Sequence, residues 1–241
     1  MKGYVHSFES LAAVDGEGLR CAVFFRGCPL HCVYCHNPDT QAFGKEGEIG
    51  AEELVRKISR YRPYFKERGG VTFSGGEPLC QAEFLCELIP LLEREGIGYI
   101  PDTSGAVVLS ESVKTVLRQA QSVLLDLKFW DEESYRRYTG VGIAPALAML
   151  DYLEEIGKPT RIRTVVIPGI NDSTEMLASY LPHLRGKRCV TRYELLPFHT
   201  LGFFKYAELG VPNPLAQTPP MDRERLKTLQ EFIDEKLETK N

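Results

Sequence analysis

Short apolar runs alternate along this chain with longer segments whose apolar positions recur at helical spacing. The runs at 19–25, 70–74, 98–102, 122–128, 161–167 and 191–198 are rich in branched and aromatic residues and predict strands. Between them, Leu54, Val55 and Ile58, then Phe84, Leu85, Leu88, Ile89 and Leu92, then Val113, Val116 and Leu117, then Leu147, Leu150 and Leu153 fall on helical faces. Ser110, Asp131 and either Asp172 or Ser173 stand where helix N-caps belong, with Glu175 three residues after Asp172 as in a capping box. The last stretch, "DRERLKTLQEFIDEKL", puts Leu226, Leu229, Phe232, Ile233 and Leu237 on one stripe and predicts a closing helix. Strand and helix in alternation is the βα pattern. Six units fall short of the eight that close a (β/α)₈ barrel, so the expected fold is α/β, a partial, laterally open (β/α)6 TIM-like barrel, as a single domain over residues 1–241.

Chemistry in such barrels sits at the C-terminal ends of the strands. Here those ends carry a cysteine motif, "SGGEP", "DTSG", "DLK", "IPGIND" and "LLPFHTLG". Gly, Pro, Asp and Asn also furnish ordinary βα turns, and for "IPGIND" that plainer reading stands.

Composition narrows the function classes. With 241 residues, 43% hydrophobic and 26% charged, the chain can bury a full-sized core. A formal charge of -4, read with no concentrated Lys/Arg surface, predicts no nucleic-acid partner. The first residues, "MKGYVHSFES", hold no apolar leader and no stretch is long enough to span a bilayer, so a cytoplasmic protein without a membrane partner is expected. Seven cysteines, an odd number, suggest metal or reactive thiols plus a few buried apolar ones.

Residues 27–38 read "GCPLHCVYCHNP" and set Cys28, Cys32 and Cys35 with three and two residues between them. Three thiols so close, in a loop flanked by Gly27 and Pro38, favour a metal site over packing. A structural zinc site needs a fourth ligand, from His31, His36 or a distant residue, whereas a catalytic zinc accepts three and an open position. Iron–sulfur clusters are commonly held by four thiolates. Three leave one iron open to a chelating substrate or cofactor.

C-x₃-C-x₂-C with Tyr34 before the last cysteine, followed one βα unit later by "GGEP" at 75–78, resembles the radical S-adenosylmethionine enzymes. "DGEGLR" (15–20), "TFSGGEPL" (72–79), "PDTSG" (101–105), "LLDLK" (124–128), "IRTVVIPGIND" (162–172) and "ELLPFHTLG" (194–202) extend the likeness to the activating enzymes of glycyl radical enzymes, the pyruvate formate-lyase group above all. The resemblance implies a [4Fe-4S] cluster on Cys28, Cys32 and Cys35 whose open iron binds S-adenosylmethionine. Reductive cleavage of that cofactor yields a 5′-deoxyadenosyl radical, which takes a Cα hydrogen from one glycine of a partner, pyruvate formate-lyase. It also implies a flavodoxin or ferredoxin as electron donor; a monomer is expected. No side chain is expected to act as catalytic acid or base, since cofactors carry the hard chemistry.

The same resemblance assigns Tyr34, His36, Gly76, the Asp126–Leu127–Lys128 segment and His199 to cofactor binding, Asp102 and Asp126 to a monovalent cation, and Asp15 to the partner's glycine loop. Plainer readings stand beside these. Tyr34 can merely pack the loop, Glu77 can hold its own turn, and Gly75 can be turn chemistry. Asp126 and Lys128, two apart on a regular strand, share a face, and a surface ion pair is the commoner outcome. Arg163 lies within an apolar strand and needs a partner, for which the cofactor carboxylate is a candidate. His199 alone is an ordinary structural histidine. Two positions depart from the group's usual pattern, Glu17 where proline is common and Ser104 where asparagine is common. Cys21, Cys80, Cys86 and Cys189 are scattered, without the close-spaced extra cysteines of activating enzymes that carry a ferredoxin-like insert. The alternatives are a radical enzyme acting on a small molecule or on another glycyl radical enzyme and, outside that superfamily, a zinc-binding module.

Overall fold

A computed structural model describes residues 1–12 and 16–238. The chain divides into two compact units, residues 1–29 with 40–124, and residues 30–39 with 125–238 of the described chain.

The first unit holds β1 (Lys2–Ala12), β2 (Arg20–Phe25), β3 (Glu48–Gly50), β4 (Gly70–Gly75) and β5 (Tyr99–Thr103). Its helices are α1 (Ala51–Ser59), α2 (Arg62–Phe65), α3 (Ala82–Arg94) and α4 (Glu111–Gln119). β2 runs parallel to β4 and β4 to β5, while β1 lies antiparallel to both β2 and β3. Strands buried on both faces read as continuous apolar runs: Cys21, Ala22, Val23, Val71 and Phe73 are fully buried, as are Phe84, Leu85, Leu88 and Leu92 of α3. Ser110 caps α4, its hydroxyl accepting from the Val113 amide at 3.3 Å.

β1 and β3 lie outside the six predicted strands. β1 carries register shifts between Val5 and Ser7 and between Glu9 and Ala12, which break the two-residue alternation that marks a strand in sequence. Gln81 takes over pairing beside the first shift, accepting from the Tyr4 amide at 2.8 Å while its own amide donates to the Tyr4 and Arg26 carbonyls at 3.0 Å.

β6 (Val123–Asp126) begins in the first unit and ends in the second. The second unit continues with α5 (Glu132–Thr139), α6 (Ala144–Glu155), β7 (Thr160–Val166), α7 (Thr174–Ala178), α8 (Leu181–Leu184), β8 (Val190–Pro197), α9 (Phe203–Glu208) and α10 (Arg223–Glu238). β7 and β8 pair in parallel. Asp131 caps α5, accepting from the Ser134 amide at 2.7 Å. α7 is capped by Ser173 rather than Asp172, whose carboxylate instead accepts from the Gly169 amide at 3.0 Å and pairs with Arg225, so no capping box forms with Glu175. α6 turns Ala146, Met149, Leu150 and Leu153 inward and leaves Leu147 half-buried, one position off the predicted stripe. α10 buries Leu229 and Ile233 as expected, and its Gln230 accepts from the Leu195 amide at 2.8 Å and donates to the Tyr193 carbonyl at 2.9 Å. That side chain satisfies backbone groups of the terminal strand, which would otherwise be an open template for pairing.

Basic residues are more concentrated than the sequence reading allowed. Arg185, Lys187, Arg188, Arg192 and Lys236 line one groove of about 650 Å³, although Lys187 is paired with Asp151 and Arg188 with Glu154. No helix of the described residues is long and apolar enough to cross a membrane.

Candidate functional site

In the first unit the end of β2 leads into Cys28, whose amide donates to the Gln41 carbonyl at 3.0 Å while that of Gly27 donates to Thr40 at 2.8 Å. The "SGGEP" turn at the end of β4 closes against this loop, the Gly76 amide donating to Phe25 at 2.9 Å and the Glu77 amide to Gly27 at 2.8 Å. Two glycines are needed there for different reasons. Gly75 has φ +106°, and a Cβ on Gly76 would stand 2.4 Å from the Gly27 carbonyl oxygen and 3.0 Å from that of Thr40. The close approach at Gly76 is therefore to the backbone of the cysteine loop.

Glu77 is fully buried and fully engaged. One carboxylate oxygen accepts from the Leu79 amide (3.1 Å) and the Thr103 hydroxyl (2.7 Å), the other from the Ser104 amide (2.8 Å) and hydroxyl (2.6 Å). Burial raises its carboxyl above the usual range against these four hydrogen bonds. Glu77 holds its turn and, beyond that, ties the end of β4 to the end of β5. Ser104, the departure from the group's asparagine, supplies two of the donors. Asp102, at the end of β5, accepts from the Ser74 hydroxyl at 2.8 Å.

The second unit holds Cys32 and Cys35, with the Cys35 amide donating to the Cys32 carbonyl at 3.1 Å. The end of α5 fixes this part of the loop, since the His31 and Val33 amides donate to the carbonyls of Thr139 (2.7 Å) and Tyr138 (3.0 Å). Tyr34 is buried edge-on against Phe129, with ring centroids 6.1 Å apart. Burial lifts its hydroxyl well above the ordinary range. The His36 and His199 rings stack with centroids 3.7 Å apart and planes within 8°. Burial, with the neighbouring His199 adding to it, lowers His36 to about 4; burial lowers His199 too. Both imidazoles are thus neutral at pH 7.

Asp126 ends β6 between two cations. Its Oδ1 accepts from Arg163 Nε (2.9 Å) and Nη2 (2.8 Å), and its Oδ2 from Lys128 Nζ (2.8 Å). Burial by itself would raise this carboxyl, but Arg163 and Lys128 outweigh it and hold the group at about 2. Lys128, for its part, is penalised by burial and lifted well above its usual value by Asp126. β6 stops before Lys128, yet the expected meeting of Asp126 and Lys128 occurs. Arg163 finds its partner in Asp126, a protein carboxylate where the cofactor's had been a candidate. Leu127 contributes backbone, donating to the Arg163 carbonyl at 3.0 Å and accepting from the Thr164 hydroxyl at 2.6 Å. Asp15 lies outside the described residues.

The Radical SAM superfamily matches residues 22–181 of this chain. The chain belongs to that superfamily. Over its whole length it is 41% identical to the pyruvate formate-lyase-activating enzyme of Clostridium pasteurianum, across 98% of this chain and 99% of the relative. The enzyme of the same name from Staphylococcus epidermidis is 36% identical, across 97% and 96%. Among solved structures, a domain of pyruvate-formate lyase-activating enzyme from Bacteroides vulgatus aligns with a TM-score of 0.57 at 24% identity, covering 69% of this chain and 94% of that one. Streptococcus suis SuiB bound to S-adenosylmethionine aligns with a TM-score of 0.65 at 17% identity, covering 88% and 45%. These likenesses show the fold, the partial TIM-like barrel of radical SAM proteins.

As a radical SAM enzyme the protein uses a [4Fe-4S] cluster and S-adenosylmethionine, and its residues fit them. Cys28, Cys32 and Cys35 are partly accessible, unlike the buried Cys21 and Cys189. Among the described residues no three His, Cys, Asp or Glu side chains converge to hold a single metal ion. Superfamily membership favours the cluster over the zinc reading. The Tyr34 hydroxyl and His199 Nδ1 are buried with no hydrogen-bond partner among the described residues. Such orphans are rare and call for a ligand or another explanation. The sequence reading did not find Lys205 and Tyr206 of α9. Lys205 donates to Asn37 and Asp39 and Tyr206 donates to the Cys35 carbonyl, across separations of 166 to 171 residues that no local spacing could reveal.

Proposed function

We propose that this protein activates a glycyl radical enzyme, pyruvate formate-lyase, by having a hydrogen atom removed from one of its glycines. The observation that carries this reading is the end-to-end likeness to enzymes named for that activity, with both chains covered almost completely. When bound, the cluster and S-adenosylmethionine supply a 5′-deoxyadenosyl radical, strong enough to take a glycine Cα hydrogen.

The chain's own residues bind, orient and exclude water. Cys28, Cys32 and Cys35 hold the cluster. Arg163, Asp126 and Lys128 together carry one net positive charge in a poorly hydrated place, suited to the carboxylate of the methionine group. With Glu77 saturated by protein donors, the methionine amino group is left to the backbone of the Gly75–Gly76 turn. Tyr34 and His199 offer their unpartnered polar atoms to the rest of the cofactor, with His36 stacked behind His199. A monovalent cation at Asp102 and Asp126 remains part of the reading, as does Asp15 at the partner's glycine loop. The two units act as one domain, which the superfamily match across both of them supports. The electron comes from a flavodoxin or ferredoxin, the protein works as a monomer, and the setting is the cytoplasm.

The test is anaerobic reconstitution with iron and sulfide, then incubation with dithionite, S-adenosylmethionine and pyruvate formate-lyase. Formation of 5′-deoxyadenosine together with the glycyl EPR doublet is the expected result. Deoxyadenosine without the doublet would refute this partner, and a protein that takes zinc, holds no iron and gives neither signal would refute the reading entirely.

A further inference from the structure

The stretch from His199 to Tyr206 meets the cysteine loop at successive positions, all within the second unit. The Tyr206 hydroxyl donates to the Cys35 carbonyl at 3.0 Å. The His36 ring stacks on His199 and its Nε2 lies 3.1 Å from the His199 carbonyl oxygen. Gly202 sits beneath the His36 carbonyl so closely that a Cβ would be 2.4 Å from that oxygen. Lys205 Nζ then bridges Asn37 Oδ1 (2.8 Å) and Asp39 Oδ1 (3.0 Å), spanning Pro38. The Lys205 and Asp39 side chains are only about one-fifth exposed, so water screens this ion pair less than a surface one. Tyr206 is 6% exposed, and its hydroxyl has the Cys35 carbonyl as acceptor.

We propose that Lys205 and Tyr206 are positioning residues that preform the Cys35–Asp39 half of the loop before iron arrives. This rests on the reading that Cys28, Cys32 and Cys35 hold the cluster. Cys28 is anchored separately, through Gln41 in the first unit, and so provides an internal control. Losing one hydrogen bond of the usual net strength shifts a local opening equilibrium about fivefold.

The test uses the full chain as Tyr206→Phe, Lys205→Met and Lys205→Arg. The iron-free proteins are pulsed with iodoacetamide and each cysteine is read by mass spectrometry, while the reconstituted proteins are challenged with an iron chelator. Tyr206→Phe and Lys205→Met are expected to raise alkylation of Cys35 about fivefold over Cys28 and to speed iron release in step. Lys205→Arg should restore both, because it keeps the charge and donors. Equal increases at Cys28 and Cys35, or none, would overturn the proposal. Should Lys205→Met fail to fold by circular dichroism, Tyr206→Phe, which removes one hydroxyl, still decides it. A wild-type chain that takes up no iron would refute the cluster reading, whatever the alkylation pattern shows.

Discussion

Replacing Asp126 by asparagine tests the charge arrangement at the end of β6. The carboxylate lies between Arg163 and Lys128, and its side chain is 21% exposed. It sits at about 2, against about 3.9 for an aspartate in an open chain, and ~1.4 kcal/mol per pH unit between the two gives a preference of about 2–3 kcal/mol for the ionised form. An amide of the same shape forfeits that preference. It also turns an N–H toward Lys128, setting donor against donor. Truncating a fully buried pair costs about 3–5 kcal/mol, and partial exposure places this site just below that range. Asp126→Asn is therefore expected to lose about 2–3 kcal/mol in urea unfolding of the iron-free full chain at pH 7, with an unchanged m-value. Pairing it with Lys128→Met should cost less than the sum of the single changes, because the two sites share one interaction. The pH dependence has a fixed sign. A carboxyl lowered on folding stabilises above its unfolded value and loses that contribution as pH falls through about 2. The gap between wild type and variant should hold from pH 7 to near 4 and then close. A variant within about 0.5 kcal/mol of wild type at pH 7, the range of an ordinary surface change, would refute the claim that Asp126 is what makes two buried cations tolerable.

Gly76→Ala forces a methyl against the Gly27 and Thr40 carbonyls, backbone atoms that cannot rotate aside, so iron uptake on reconstitution should fall sharply; normal iron content would show the turn to be softer than it looks. Glu77→Gln cannot accept both Ser104 donors on an amide nitrogen and should lose about 1–3 kcal/mol by chemical denaturation. Because burial raises the Glu77 carboxyl, its stabilisation is complete below the unfolded value and fades as pH rises through the raised one. The deficit of the glutamine variant should accordingly shrink as pH rises, and a growing deficit would contradict the assignment. Cys32→Ser should abolish cluster retention as read by iron content and visible absorption, whereas Cys80→Ser, at an exposed thiol, should leave both unchanged.

What the sequence disclosed and what it hid follow from the range of the interactions concerned. The six continuous apolar runs could be read because a strand buried on both faces needs nothing from a distant partner to look apolar. β1 could not, because its bulges put Val5 and Phe8 out of phase, and β3, at three residues, is too short to show a period. Cys28, Cys32 and Cys35 were visible because their spacing lies within one loop. Arg163 was half visible: a charge in an apolar strand declares that a counter-charge exists, but which one depends on register. The Leu127 amide bonds the Arg163 carbonyl, and that register sets Asp126 beside the guanidinium. Glu77 was ambiguous for the same reason, since its four donors come partly from the next strand end. Lys205 and Tyr206 lie at the far extreme, in a short helix with no pattern of its own, bonding the cysteine loop across 166 to 171 residues of chain. Local spacing shows which groups must be partnered; strand register and the paths of the connecting loops decide by what. The three cysteines thus stand out in the sequence by their spacing, and the side chains that bond their loop do not.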